Sequence, residues 1–189
     1  ILVFTPLVQE EMETALSADL TLTVVDLAGA QRLNEAALRH GVKQRVHIKV
    51  DTGMGRYGFS LSELPAAVGQ MREMRGLVLE GIYSHFAQGF RGRAGAPACH
   101  AQARRFLHVL EQLELAGQVF PLRHIANSGA ALLFPQYHLD MVRCGNLIYG
   151  IVPSGLGKDV RGLELKDAWR FCGRVVQIRE LPAGTRVGY

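Results

Sequence analysis

Four stretches of this sequence end a hydrophobic run in polar residues that packing alone does not call for. The first is Val46-His47-Ile48-Lys49-Val50-Asp51-Thr52-Gly53-Met54-Gly55-Arg56-Tyr57-Gly58. Lys49 and Arg56 bracket a turn in which Gly53, Gly55 and Gly58 would let the backbone approach an anionic ligand closely. A tight turn carrying solvated charges accounts for the same residues, and spacing does not choose between the two. The second stretch, Tyr83-Ser84-His85-Phe86-Ala87, puts a histidine at the end of an apolar run, where a rim or core role is the simpler account. The third, His124-Ile125-Ala126-Asn127-Ser128-Gly129-Ala130-Ala131, leads small polar residues into an alanine-rich turn. That pattern suits a helix N-terminus holding phosphate, with Ser128 as a plain helix cap the simpler alternative. In the fourth, Asp140 to Gly150, Arg143 interrupts an apolar run. A buried arginine needs a partner or a ligand. Gly145 and Asn146 then offer backbone amides at a position where barrels often bind phosphate. Together the four ends place cations, histidines and a phosphate cradle around one pocket. They point to a phosphorylated ligand or cofactor, and spacing goes no further.

Groups gathered this way must be carried by strands whose C-terminal ends meet. β-type runs fall at Ile1–Phe4, Leu20–Asp26, Val46–Asp51, Leu77–Phe86, Leu122–Ala126 and Met141–Tyr149. Helical patterns lie between them. Ala30, Leu33 and Ala37 share a face that Gly41 would terminate. Ser62 could cap a helix with Pro65 in its first turn and Leu64, Val68 and Met71 on one side. Phe106, Leu110 and Leu113 stripe a longer helix, with Arg104, Arg105 and Glu111 at its polar positions. The alternation implies parallel βαβ units, either a doubly wound sheet or part of a (β/α)8 barrel with about six of its eight strands. After Pro153 the rhythm breaks at Gly155, Gly157 and Gly162, and Trp169–Leu181 reads as a β run before Pro182. The expected organisation is an α/β barrel segment over residues 1–152. A linker and the first strand of a C-terminal β domain would follow over residues 153–189.

At 189 residues the chain has room for one domain with a substantial core. A hydrophobic content of 48% with 20% charged residues argues against any long disordered stretch. The net charge of +4 comes without a basic run interleaved with aromatics, which gives nucleic-acid binding no support. Cys99, Cys144 and Cys172 lack metal-type spacing and fit a reducing compartment better than a disulfide framework. No apolar stretch is long enough to span a bilayer, and Ile1-Leu2-Val3-Phe4 has neither the basic nor the long apolar region of a signal peptide. The expectation is a soluble cytoplasmic protein without a metal, away from membranes, whose natural start lies upstream of Ile1.

The same residues carry a family resemblance. The block from Lys49 to Gly58 closely resembles the signature of the alanine racemases. Tyr83-Ser84-His85-Phe86-Ala87, His124-Ile125-Ala126-Asn127-Ser128 and Met141-Val142-Arg143-Cys144-Gly145 are similar to further segments of that family, in the same order. The resemblance runs from Ile1 to Tyr189. It implies a pyridoxal-phosphate (PLP) enzyme of fold type III, with an N-terminal (β/α)8 barrel and a β-rich C-terminal domain. It also implies homodimers that share their active sites. The implied reaction is two-base racemisation of L- and D-alanine, supplying D-alanine for the peptidoglycan of the cell wall. By the same resemblance Arg143 faces the pyridine nitrogen and keeps it unprotonated, because a second positive charge beside it is unfavourable. A weaker electron sink then limits side reactions such as transamination. His85 and His124 support Arg143 or the cofactor ring, Ser128 with the backbone at Gly145 and Asn146 binds the phosphate, and Asn127 is a further cofactor-binding residue. Arg56 reaches the phenolic oxygen and the substrate carboxylate. Lys49 matches a lysine that many members carbamylate, a change from a cation repelling Arg56 to an anion pairing with it.

The resemblance also implies what lies elsewhere. The family's Schiff-base lysine sits in the first barrel strand, in a segment rich in Ala, Tyr and Gly. Lys43, Lys49, Lys158 and Lys166 stand in other contexts. The second base is a tyrosine of the partner's C-terminal domain, and Tyr189 falls too early in that domain to match it. No catalytic base is therefore expected within these residues. The chain by itself is expected to be inactive, and poorly soluble through its open sheet edges. Cys144 and Asn146 replace residues that are more often apolar or proline, a change that backbone phosphate contacts would survive. Four competing readings are another PLP barrel enzyme such as an amino-acid decarboxylase, a serine or broad-specificity racemase, a non-catalytic phosphate- or PLP-binding module, and a Schiff-base aldolase using Lys49. The Lys49 to Gly58 block favours the alanine racemase.

Overall fold

The computed structural model describes residues 1–157 and 164–188. Lys158, Gly162 and Tyr189 lie outside the described residues. Strands β1 (Leu22–Val24), β2 (Gln44–Lys49), β3 (Leu77–Tyr83) and β4 (Leu122–His124) form one parallel sheet in sequential order. Helices α1 (Met12–Ser17), α2 (Leu27–Arg39), α3 (Leu64–Arg72), α4 (Ala96–Leu115) and α5 (Ser128–Leu133) alternate with them. Single parallel bridges extend the order at both ends, from Leu2 to Thr21 and from Asn127 to Arg143.

The run expected as a strand over Met141–Tyr149 is different. Only Arg143 pairs, and the chain then turns into a 3-10 helix at Asn146–Tyr149 that ends on Gly150 at φ +80°. Trp169–Leu181 carries no strand either, and Phe171 and Val176 stand 90% and 93% exposed. A residue's β propensity is realised only where a neighbouring edge satisfies its amides and packs its side chains.

One sheet face is apolar and lies under the helices. Leu22, Val24, Val46, Ile48, Leu79 and Ile82 join the buried stripes of the helices in one core. These include Ala30 and Leu33 of α2, Val68 and Met71 of α3, and Phe106 and Leu113 of α4. The other face is polar, and register pairs Thr23 with His47, Lys49 with Tyr83, and Tyr83 with His124. A bulge at Val46/His47 makes Val46 face Leu79 but His47 face Gly81. That extra residue shifts the alternation of β3. Tyr83 thereby reaches the polar face while Leu79 and Ile82 stay in the core.

Local signals explain the helix ends. Asp26, expected to close a strand, instead caps α2 by accepting from Gly29 N at 2.6 Å. For α3 the cap is not Ser62 but the reciprocal pair Ser60 and Glu63. Ser60 Oγ accepts from Glu63 N at 3.3 Å and Glu63 Oε1 accepts from Ser60 N at 3.0 Å. This capping box needs a serine three residues before the glutamate, a spacing that Ser60 has and Ser62 lacks.

Candidate functional site

The carboxyl ends of the strands surround a cleft of about 380 Å3. Lys49, Arg56, His85, Asn127, Ser128, Arg143, Gly145 and Asn146 all line it, together with Tyr57, Tyr83, Phe4 and Phe90. His124 does not; it is fully buried beneath Arg143. The four strand ends therefore converge, although up to 97 residues separate Asn146 from Lys49 in the sequence.

Arg143 is the most constrained cation of the cleft. Its Nη1 donates to His124 Nδ1 at 2.7 Å, and its Nη2 donates to Ser84 O at 2.8 Å and contacts His85 Nδ1 at 3.2 Å. Its guanidinium also lies over the rings of Tyr83 and Phe4, at 5.0 Å and 5.4 Å from their centres. Burial lowers its pKa to about 10, which still leaves it charged at neutral pH. The histidines that hold it are neutral. Burial, with Arg143 itself as the next cause, brings His85 to about 4 and His124 to about 2. A guanidinium only donates, so a neutral imidazole nitrogen is the partner it needs here.

Lys49 is 2% exposed. Its Nζ donates to Val50 O at 2.8 Å and sits 5.7 Å and 5.9 Å from the ring centres of Tyr83 and Tyr57. Burial lowers its pKa to about 8, with Asp51 opposing and Arg143 and Arg56 adding to the effect. Arg56 is exposed, stacks on Tyr57 at 4.7 Å and donates to its hydroxyl at 3.2 Å. Among the described residues, no carboxylate lines the cleft.

The glycine turn after Lys49 corrects one expectation. Its amides are turned onto a carboxylate of the chain itself. Those of Gly53 and Met54 donate to Asp51 Oδ1 at 2.9 Å and 2.8 Å, and that of Gly55 donates to Oδ2 at 2.8 Å. Burial works to raise the Asp51 pKa, but these bonds outweigh it and hold the carboxyl below its usual range. The glycines make the tight turn, but its charges are not both solvated: Arg56 is exposed while Lys49 is buried, and both line the cleft. Gly58, at φ +118°, is required because a Cβ there would lie 2.8 Å from Lys49 O. Ser128 is likewise not the cap of α5. Asn127 is, accepting from Ala130 N at 3.2 Å, while its Nδ2 donates to Phe86 O at 3.1 Å. Ser128 Oγ instead accepts from Gly145 N at 2.9 Å, tying the third strand end to the fourth.

Several residues at or behind the site gave little sign of themselves in the sequence. Tyr57 and Tyr83 supply the ring faces for the cations, and only their adjacency to charged strand ends hinted at it. Gln102 of α4 fastens two loops: it accepts from Ala87 N at 2.9 Å and donates to His85 O at 3.1 Å in the loop after β3, and donates to Thr52 Oγ1 at 3.4 Å in the loop after β2. His47 and Glu80 lie behind His124, and neither had a role legible in the sequence.

Fold and cleft define a parallel α/β protein of barrel type with a cationic pocket at the carboxyl ends of its strands. The chain belongs to the alanine racemase N-terminal domain family, whose model matches residues 1–153. Alanine racemase 1 of Caldanaerobacter subterraneus subsp. tengcongensis is 38% identical over all of this chain and 48% of its own length. The alanine racemase of Desulfosudis oleivorans is 41% identical over 90% of the chain and 45% of its own length. Among solved structures, alanine racemase of Clostridium difficile 630 in complex with cycloserine superposes with a TM-score of 0.80 at 32% identity. That match covers 88% of this chain and 45% of the other. Alanine racemase of Bacillus anthracis with bound L-Ala-P gives 0.76 at 29% identity, over 88% of this chain and 43% of that one. The fold is thus the TIM-barrel-like one of this family, of which the chain forms part. It spans about half the length of the curated relatives it matches. Among the described residues no helix is long and apolar enough to cross a membrane.

Proposed function

We propose that this chain supplies the PLP-holding part of an alanine racemase site. In this reading the complete protein interconverts L- and D-alanine and provides D-alanine for peptidoglycan. It works in the cytoplasm as a homodimer, with both bases contributed from outside residues 1–189. The barrel part is assigned to residues 1–152, and residues 153–189 lead into a C-terminal β domain. One observation carries the reading. A charged guanidinium, that of Arg143, lines the cleft on neutral histidine supports, and among the described residues no carboxylate lines the cleft with it.

PLP suits such a site by charge. Its phosphate and phenolic oxygen are anionic, and Arg143, Arg56 and Lys49 line the cleft. When bound, the group supplies a conjugated electron sink that acidifies the α-proton of an amino acid. Arg143 would hold the ring-nitrogen side and, being cationic, keep a proton off that nitrogen. Ser128, Gly145 and Asn146 would hold the phosphate, which would compete for the present Gly145–Ser128 bond. Arg56 would hold the phenolic oxygen and the substrate carboxylate. His85 and Asn127 would line the bound cofactor, and His124 keeps its neutral hydrogen-bonding role beneath Arg143. The complete protein, incubated with PLP and L-alanine in deuterated water, is expected to form D-alanine with deuterium at Cα. Release of carbon dioxide without D-alanine would replace this reading with a decarboxylase.

Lys49 is assigned as a carbamylation site. Its neutral Nζ would form a bond to the carbon of carbon dioxide and release one proton, leaving a carbamate anion facing Arg56 and Arg143. A pKa near 8 leaves roughly one amine in ten neutral at pH 7, against fewer than one in a thousand for an ordinary lysine. With 13C-bicarbonate the complete protein is expected to show one carbamate carbonyl resonance. It should strengthen as the pH rises through about 8, where the neutral amine becomes the major form, and be lost in Lys49→Ala. A spectrum with no such resonance on the alkaline side of that value would leave Lys49 as an unmodified amine.

A further inference from the structure

Behind Arg143 a file of polar side chains runs down the inner face of the sheet, away from the cleft. His124 Nε2 meets His47 Nδ1 at 2.7 Å, and His47 Nε2 meets Glu80 Oε2 at 3.2 Å. Glu80 continues the file to Thr21 Oγ1 at 3.2 Å and Arg45 Nε at 3.7 Å, and Arg45 pairs with Asp19 at 3.0 Å. Neither His47 nor Glu80 lines the cleft.

The donors and acceptors admit one direction only. Arg143 Nη1 can only donate, so His124 Nδ1 accepts and the proton of a neutral His124 sits on Nε2. That proton points at His47 Nδ1, which must accept, so a neutral His47 carries its proton on Nε2. The acceptor waiting there is a carboxylate. A proton added at His47 Nδ1 would force His124 into its other tautomer and set two donors face to face at Arg143. Burial disfavours the charged form of both rings. The fold makes room for this arrangement. The bulge opposite His47 brings Glu80 alongside it, and residue 81 is glycine where a Cβ would lie 2.6 Å from His47 Cε1.

We propose that His47 and Glu80 are positioning residues for Arg143: the Glu80 carboxylate, acting through His47, fixes the tautomer of His124 and so the orientation in which the guanidinium meets the cleft's ligand. The identity of that ligand rests on the function proposed above; the tautomers do not. The test uses the complete protein with its histidines 15N-labelled, first stripped of cofactor and then titrated with PLP. Wild type is expected to show Nε2–H tautomers at both His47 and His124. Glu80→Leu should mix the tautomers at His124 and raise the PLP concentration for half-saturation about tenfold, the scale of one lost charged hydrogen bond. Glu80→Gln keeps an acceptor oxygen and should restore both readouts, a rescue that a purely structural role for the charge would not give. A wild-type His124 protonated on Nδ1 overturns the proposal whether or not any variant folds. So does a Glu80→Leu protein with unchanged His124 tautomer, or one whose tautomers shift while PLP half-saturation stays put. Absence of PLP binding in wild type would instead sink the functional reading. The His124 tautomer in wild type and Glu80→Leu would then decide the proposal alone.

Discussion

An Arg143→Ala variant of the complete protein is expected to racemise alanine roughly 10²–10³-fold more slowly than the parent, the scale of losing one preorganised donor. Two losses combine. The cleft gives up the cation assigned to the ring-nitrogen side, and the neutral side of His124 loses the donor it was arranged to accept from. An acceptor left buried and unpartnered costs about 1–3 kcal/mol, so a lower melting temperature should accompany the lower rate. Arg143→Lys separates the two effects. An ammonium keeps the charge, but it lacks the fork that reaches His124, Ser84 and His85 together. Its rate should fall between the other two proteins, with PLP affinity closer to the parent. The measurement is initial rate against PLP concentration for the three proteins, with a melting curve for each. An alanine variant within about threefold of the parent rate would remove Arg143 from the reacting centre, and the functional reading with it.

The second large effect is expected at Gly129. A Cβ there would lie 2.7 Å from the carbonyl carbon of Gly89 and still closer to its oxygen. Both sides of this contact are backbone, so no side chain can swing away. Gly129→Ala should cost about 3 kcal/mol as an overpacked contact. In the complete protein that is a fall of several degrees in melting temperature. The same contact sets Asn127 and Ser128 at the cleft, so PLP affinity should fall in step. Gly145→Ala is the matched comparison. No heavy atom lies within 4 Å of a Cβ at that position, and φ there is −92°. Its melting temperature should stay within about 1 °C of the parent, inside the range of a neutral surface change. Equal melting temperatures for the two variants would mean that the 3-10 segment Gly89–Gly95 yields to α5.

Much of this protein was written in its order of residues. Hydrophobic runs alternating with 3.6-residue stripes implied parallel βαβ units, because strands and helices that alternate along the chain bury both patterns by packing each helix over a parallel sheet. An arginine inside the apolar run at Met141–Gly145 required a partner, and the polar strand ends from Lys49 to Asn146 required a common place to meet. Those are matters of local pattern and of the high cost of burying charge, and a linear sequence records both. The family signature is legible for the same reason, since it is built from those strand ends.

What the tertiary structure alone decided is which polar group each of these residues meets. Asp51 captures the amides of the glycine turn, and Asn127 takes the cap expected of Ser128. Each outcome turns on donor–acceptor distance and angle, which residue type does not encode. The file from Arg143 to Glu80 lay still further from view. His47 sits in a run that reads as ordinary strand, and the bulge that brings Glu80 beside it leaves no mark on periodicity. Sequence spacing reports which face a side chain takes; hydrogen-bond partners 77 residues apart, as His47 and His124 are, exist only once the sheet has closed the distance.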